Sequence, residues 1–454
     1  MQNAAPNLVD LGRQFISIDT TTSHGTLTAA KWVSDLARLW NLNCEIIEET
    51  WNGIANANLL ICAKNCDPRE SPYILTTRLD TSDPGEYAVW TKTGANPFNA
   101  SINGDSLFGL GTADSKLDFL CKLLAFRESS LHAQPTASLV GTFGRESGTG
   151  AIRLIRQKRI KPQGALVGAP TGLKMSRRAP GFAKVEITIA LSDDERRYIE
   201  QQSGSEGATS QSKIFSRVQK QQAVDLGLLS NPILRMMDYL KNLPSGIAIL
   251  SVDGGTSAEL QPDFVELEVQ IVDHLQGGVI SKLISVCELI KKLAVELKSV
   301  EAKEFLPAHS TINVGQIRML PEQVVISGIC RLVPTAHREI YDKWLERMRV
   351  DCAAAGAQFH ILDYKPPFIS NGDAPFFNLL KRVSSKMGFD SGEITARQCT
   401  EANVFQRLGV ETVIFGPGVE LGNDPISLEH VKISELNSAI DFYREVLLTQ
   451  EVLK

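Results

Sequence analysis

The sequence predicts an α/β domain that is interrupted by an inserted domain with a second kind of sheet. At both ends of the chain, short apolar runs alternate with segments of helical periodicity, which is typical of a sheet covered by helices on both faces. In the middle, apolar and polar residues alternate with period two, for example over 184–189. That alternation indicates a sheet with one face in water.

The outer segments account for the first domain. Predicted helices lie within 7–42, near 115–127 and over 376–387, and predicted strands cover 58–62, 73–77, 137–143 and 411–415. Because the α/β pattern resumes after the Pro366-Pro367 pair, the chain is expected to return to its first domain. The predicted domains are therefore 1–180 with 367–454, and an insertion over 181–366.

The insertion contains two similar stretches, 247–271 and 310–333. Each consists of an apolar strand, a short polar stretch and a second strand, and a helix follows. The first stretch adds an extra unit near 247–300. The segment 194–222 is rich in Gln, Ser, Arg and Glu, and is expected to be a loop.

Composition excludes several classes of protein. With 454 residues, 43% of them hydrophobic, the chain can bury two cores, and a net charge of -5 disfavours nucleic acid as a partner. No apolar stretch approaches the roughly 20 residues that span a bilayer. The amphipathic start lacks the features of a signal peptide, so a cytoplasmic protein is expected. The eight cysteines include no Cys-x-x-Cys pair, which argues against a thiolate zinc site.

A set of ordered motifs points to a known family. The motifs are Arg78-Leu79-Asp80-Thr81, Asn96-Pro97-Phe98, Gly109-Leu110-Gly111-Thr112-Ala113-Asp114-Ser115-Lys116, Arg145-Glu146-Ser147-Gly148, Gly168-Ala169-Pro170-Thr171, Phe415-Gly416-Pro417-Gly418 and Glu429-His430-Val431. Their succession resembles the co-catalytic zinc deacylases and exopeptidases, which include acetylornithine deacetylase, succinyl-diaminopimelate desuccinylase and related carboxypeptidases. This resemblance implies a zinc-exopeptidase-like catalytic domain with an inserted, two-layer α+β lid that also forms a homodimer contact.

Several expected metal ligands are replaced. The family has His-x-Asp where this chain has Arg78-Leu79-Asp80, and arginine cannot be a ligand because it stays protonated. Asp80 occupies the position that orients the missing histidine. The bridging aspartate is retained as Asp114, and the family's Glu-Glu pair aligns with Arg145-Glu146. The resemblance therefore implies that the ligand Glu146 is kept while Arg145 replaces the general base.

Two further ligand positions are also changed. A glutamate of the family falls on Ala169, and its last histidine falls on Pro425. Of five expected ligands, only Asp114 and Glu146 remain, whereas a catalytic zinc needs at least three protein ligands. Arg78 and Arg145 are instead expected to neutralise the remaining carboxylates in an internal ion-pair cluster.

The resemblance also assigns residues of the insertion. The lid histidine that reaches the substrate carbonyl in the neighbouring subunit falls on Lys220, and Arg331 aligns with an arginine that could hold a substrate carboxylate.

The expected function is therefore that of a catalytically degenerate, metal-free relative. Such a protein would bind a small amino-acid-like ligand or serve as a scaffold for a protein partner. The alternative is an active amidohydrolase or peptidase that holds one or two divalent ions, zinc, cobalt or manganese, in an altered site. Arg78 and Arg145 would then point to solvent, or His430 would enter the site through a shifted loop.

Overall fold

The structure is a computed structural model that describes residues 7–449, except 65, 134, 136, 146, 204–210, 218–230, 245, 273–277, 337–338, 390–391 and 420–425. Only the backbone is described for 203 and 211–217. The chain divides into two compact units, Met1–Ala179 with Phe368–Lys454, and Pro180–Pro367.

The N-terminal segment of the chain, up to Ala179, contributes most of the helices and strands of the first unit. The helices are α1 (Leu8–Ser17), α2 (Leu27–Leu39), α3 (Lys116–His132) and α4 (Thr149–Arg156). The strands are β1 (Asn43–Trp51), β2 (Ile54–Cys62), β3 (Tyr73–Arg78), β4 (Ser101–Asn103), β5 (Ser106–Phe108), β6 (Ala137–Thr142), β7 (Gly164–Val167) and β8 (Arg178–Ala179). The helices and strands predicted for this part are confirmed. The elements that were not predicted are α4, β1, β4, β5, β7 and β8, of which β1 pairs with β2.

The second unit contains the inserted elements. They are β9 (Gly181–Ala190), α5 (Asp193–Ser203), β10 (Gln211–Arg217), α6 (Pro232–Tyr239), β11 (Ile247–Gly254), β12 (Phe264–Ile271), α7 (Val279–Lys298), β13 (Thr311–Met319), β14 (Gln323–Leu332), α8 (Ile340–Ala354) and β15 (Gln358–Lys365). The two similar stretches are confirmed as strand–strand–helix units, β11–β12–α7 and β13–β14–α8.

The expectation of a loop over 194–222 is wrong where the structure describes this segment, because it contains α5 and β10. Polar composition alone was misleading. Ser192 and Glu195 exchange hydrogen bonds at the start of α5: Ser192 N donates to Glu195 Oε2 at 2.8 Å, and Glu195 N donates to Ser192 Oγ at 3.2 Å. This capping box satisfies backbone donors that would otherwise favour a loop.

The chain then completes the first unit. The elements are β16 (Phe368–Ile369), α9 (Pro375–Lys386), α10 (Glu401–Arg407), β17 (Glu411–Ile414), β18 (His430–Lys432) and α11 (Ile433–Leu448).

A six-stranded sheet forms the centre of the first unit, in the order β1-β2-β6-β3-β7-β17. The strands β6, β3, β7 and β17 are parallel. Successive residues enter different cores: Leu75 and Leu139 pack on one face, whereas Ile74 and Val140 pack on the other. The sheet is therefore buried on both faces, as the apolar runs predicted.

The second unit has a seven-stranded antiparallel sheet in the order β10-β12-β11-β13-β14-β9-β15. Along β9, Ala183, Val185 and Ile187 are buried in a core shared with α6, α7 and α8, while the residues between them are partly exposed. The predicted contrast between one packed and one wet face is confirmed. Within the described ranges of the chain, no helix has the length and hydropathy that a membrane crossing requires.

The fully buried Leu139 gives a test of the central core. Replacing Leu139 with Ala should lower the free energy of unfolding by about 3 kcal/mol, because the side chain leaves a cavity between β6 and its neighbours. Leu131, which is 72% exposed on α3, is the matched control, and Leu131→Ala should change stability little. Equal losses in chemical denaturation would contradict this account of the core.

Candidate functional site

The predicted site residues follow the parallel strands of the first unit. Arg78 is the last residue of β3, Arg145 comes three residues after β6, and Ala169 comes two residues after β7. Since the carboxyl ends of neighbouring parallel strands meet at one edge of the sheet, these positions share the edge where α/β proteins usually bind ligands.

The loop before α3 presents Asp114. Gly109 and Gly111 have φ angles of 146° and 87°, which suit glycine. A side chain at Gly111 would also lie within 3.0 Å of both Lys116 and Thr81.

One buried carboxylate holds this loop. Glu429 Oε1 accepts hydrogen bonds from the backbone N–H groups of Gly111, Ala113 and Asp114, at 3.1, 2.9 and 3.0 Å. Burial raises the pKa of Glu429 to about 7, against the effect of these hydrogen bonds.

Asp114 forms an ion-pair cluster with both arginines. Arg78 Nη2 and Arg145 Nη1 each donate to Asp114 Oδ2, the second at 2.9 Å. The side chains of Arg78, Arg145 and Asp114 are 12%, 26% and 28% exposed. Burial alone would raise the pKa of Asp114, but the two guanidinium charges outweigh it and lower that pKa below its ordinary value. Both arginines therefore contact the Asp114 carboxylate in this structure, so the alternative in which they turn away from it into solvent is wrong.

Asp80 fixes the backbone of Arg145. Its Oδ2 accepts from the N–H groups of Gly144 and Arg145, at 3.0 and 2.6 Å. Its Oδ1 is buried without a hydrogen-bond partner, and burial raises the pKa of this carboxyl despite the nearby arginines. Asp80 therefore holds the backbone of Arg145 in place, whereas the family pattern gives this aspartate the role of orienting a ligand histidine.

A second ionic cluster lies deeper in the same unit. Asp118 Oδ2 accepts from Lys122 Nζ at 2.8 Å and from Thr77, while Asp118 Oδ1 accepts from the Tyr443 hydroxyl. Lys122 Nζ also donates to the Thr76 carbonyl oxygen at 2.8 Å. Since all of these groups are buried, this cluster is part of the interior of the domain.

Two more buried groups near the site have strongly shifted pKa values. Burial raises the pKa of Glu401 to about 7; its Oε2 accepts from Thr142 Oγ1 at 2.7 Å, and its Oε1 is buried without a partner. Burial lowers the pKa of Lys116 to about 7, and its Nζ donates to the Ile16 carbonyl oxygen at 3.3 Å. In the sequence, Lys116 is the last residue of the motif that contains Asp114, whereas Glu401 lies outside the motifs.

The remaining predicted residues lie elsewhere. Arg331 is on β14 of the second unit, where Nη1 donates to the Pro307 carbonyl oxygen at 3.1 Å and Nη2 is buried without a partner. His430 is on β18, with Nδ1 2.8 Å from the Leu428 carbonyl oxygen and its ring stacked on Phe108. The positions predicted for Glu146, Pro425 and Lys220 lie outside the described residues.

The side chains that the structure describes at the expected ligand positions, 78, 114 and 169, do not fit a resident pair of zinc ions. Arg78 has no lone pair to offer, Ala169 has no donor, and Asp114 Oδ2 already accepts from two guanidinium groups. Among the described residues, which do not include 146 and 420–425, no three His, Cys, Asp or Glu side chains are grouped so as to hold a metal ion.

The fold class of this chain is the mixed α/β class of zinc-exopeptidase-like proteins with an inserted α+β domain. A sequence profile of Peptidase family M20/M25/M40 matches residues 78–449, most of the chain. The chain therefore belongs to Peptidase family M20/M25/M40.

Two relatives are similar over shorter regions. An acetylornithine deacetylase from Salmonella typhimurium is 26% identical over 201 residues, which span 42% of this chain and 49% of the relative. An acetylornithine deacetylase from Buchnera aphidicola is 30% identical over 117 residues, which span 24% and 28%. The chain thus matches about half or less of the length of these relatives.

The similarity in fold to solved structures covers nearly the whole chain. An M20 family metallo-carboxypeptidase from Sulfolobus solfataricus has a TM-score of 0.62 and 14% sequence identity, and the match covers 98% of this chain and 99% of that structure. At this level of identity the likeness concerns the fold alone.

The Asp114 cluster makes a prediction for stability. Arg78→Met should lower the free energy of unfolding by about 1–3 kcal/mol, because Asp114 loses one of its two cationic partners in a mostly buried place. Arg38→Met, which removes an exposed partner of Asp35, is the control and should have no measurable effect. Denaturant titration measures both. A loss in the control as large as that in Arg78→Met would show that burial does not strengthen the Asp114 pair.

Glu401 makes a prediction for pH dependence. The folded protein holds its proton up to a pKa of about 7, while the unfolded chain releases it near 4.5, so this group reduces stability as pH rises from about 4.5 to 7. Glutamine does not titrate, so the stability of Glu401→Gln relative to the unmodified protein should rise by about 3 kcal/mol between pH 4.5 and 7. Unfolding measured from pH 4 to 8 checks the trend; a constant difference would contradict it.

Proposed function

We propose that this chain is a non-hydrolytic, metal-free member of its family that acts by binding a small amino-acid-like ligand. The observation that carries this proposal is the pair of guanidinium groups on Asp114 Oδ2. The resemblance gives that carboxylate the role of bridging two zinc ions. In this chain, the guanidinium groups of Arg78 and Arg145 supply the positive charge next to Asp114 instead.

The charges of the replaced residues support the proposal that protein side chains take the place of the metal ions. Relative to the family pattern, the arginine at 78 adds one positive charge, the arginine at 145 adds two by replacing a carboxylate, and the alanine at 169 adds one by removing a carboxylate. The proline at 425 replaces a neutral ligand histidine and adds none. The total gain of four equals the charge of two Zn²⁺ ions, so the remaining buried carboxylates keep their cationic counterpart.

The loss of the general base supports the same proposal. The base must accept a proton from the attacking water, and the guanidinium of Arg145 cannot do so. Glu429 and Glu401 have pKa values suited to a base, but Glu429 accepts three backbone N–H groups and Glu401 accepts from Thr142. Glu429 is therefore occupied in holding the loop of Asp114, and both carboxyl groups are buried away from solvent.

Assembly and location are further parts of the proposal. We propose a cytoplasmic homodimer that contacts its partner through the inserted domain, as the resemblance implies, and that does not bind nucleic acid or membranes. A scaffold for a protein partner is the form that this proposal takes if no small ligand binds.

Metal analysis tests the proposal directly. The purified full-length protein, prepared with added zinc, cobalt or manganese and then desalted, should retain well below one metal ion per chain. It should also fail to hydrolyse N-acyl amino acids and dipeptides, because both the ligands and the base are replaced. Stoichiometric metal or turnover that Asp114→Asn abolishes would contradict the proposal and favour an active hydrolase with an altered site.

A reversal variant sharpens this test. The combined changes Arg78→His, Arg145→Glu, Ala169→Glu and Pro425→His restore the four family positions, and should give a protein that retains divalent metal where the unmodified chain does not. Elemental analysis of the two proteins side by side gives the comparison, with thermal unfolding as the check that the variant is folded.

A further inference from the structure

Arg145 has a free edge beside its contact with Asp114. Only Nη1 donates to Asp114, at 2.9 Å, and the structure describes no acceptor for Nε or Nη2 within the part of the chain that it covers. The side chain is 26% exposed, and Nε and Nη2 are not among the buried polar atoms that lack a partner. These two N–H groups are therefore accessible from solvent.

The free edge is held in place from both ends of the residue. The backbone N–H of Arg145 donates to Asp80 Oδ2 at 2.6 Å, and the tip of its guanidinium donates to Asp114. A guanidinium fixed in this way presents Nε and Nη2 as two parallel donors, which match the two oxygens of a carboxylate. Little side-chain freedom remains to be lost on binding.

Arg78 does not offer an equivalent edge. Its Nη2 donates to Asp114, while its Nε is buried without a partner, and the side chain is only 12% exposed. Of the two arginines, Arg145 is the one that a ligand can reach with two donors at once.

Among the described residues, no neighbouring carboxylate accepts a hydrogen bond from this edge, although Asp80 Oδ1 and Glu401 Oε1 are themselves buried without a partner. Asp80 Oδ2 accepts from two backbone N–H groups, Glu429 accepts from three, and Glu401 accepts from Thr142. The replacement of a family carboxylate by Ala169 also removes one negative charge that would repel an anion.

We propose that the Nε–Nη2 edge of Arg145 binds the carboxylate of a small ligand. This inference rests on the proposed metal-free function and goes beyond it, because it names the chemical group that is recognised and the atoms that recognise it. The contact is noncovalent and needs no metal.

The test compares an acid with its amide. N-acetylglycine and N-acetyl-L-ornithine, titrated into the millimolar range, should raise the melting temperature of the full-length protein, while N-acetylglycinamide, which lacks the carboxylate, should not. Calorimetric titration should give at least about tenfold weaker binding of the acids to Arg145→Lys, which keeps the charge but loses the two-donor edge. Arg38→Lys is the control and should bind as the unmodified protein does.

The outcomes separate this inference from the proposed function. Equal shifts with acid and amide, no shift with either acid, or a shift with inorganic phosphate alone would each overturn the carboxylate site. Unchanged affinity in a folded Arg145→Lys protein would overturn the role of Arg145. Each of these results leaves the metal analysis untouched, whereas stoichiometric bound metal would overturn the proposed function itself.

Discussion

A single carboxylate oxygen, Asp114 Oδ2, is the point on which the site depends. It accepts from two guanidinium groups whose mutual repulsion it offsets, and these groups could not stay close together in a mostly buried place without it. The loop that presents Asp114 is held in turn by Glu429, and the backbone of Arg145 is held by Asp80. The charged groups are thus fixed by backbone hydrogen bonds, and their geometry follows from the loops.

Such clusters do not explain why the domain is stable. Taking charges out of water is costly, and the attraction between paired buried ions commonly does no more than offset this desolvation penalty. The stabilising contribution comes from the two apolar cores on either face of the sheet, to which residues such as Leu75 and Ile74 belong. The ionic groups instead select one arrangement of the loops, since any other would leave a buried charge without a partner.

Much of the fold could be predicted from the sequence, but less of the site. The apolar runs and the period-two alternation near 184–189 predicted both kinds of sheet, because burial on one or two faces leaves a direct trace in residue order. The segment containing α5 was missed, since its capping box outweighs a polar composition. The motifs identified Arg78, Asp114 and Arg145. The role of Glu429 could not be predicted, because it depends on bringing its carboxylate to a loop more than 300 residues earlier in the chain.

The position of the arginines at the ends of strands has an evolutionary consequence. Arg78 closes β3, and Arg145 and Ala169 lie beyond the last residues of β6 and β7, whereas the apolar residues that hold the sheet together lie within the strands. Substitutions at these ends alter the chemistry of the edge while leaving the folding core intact. Residues at this edge of the sheet can therefore be exchanged one at a time while the chain keeps its fold.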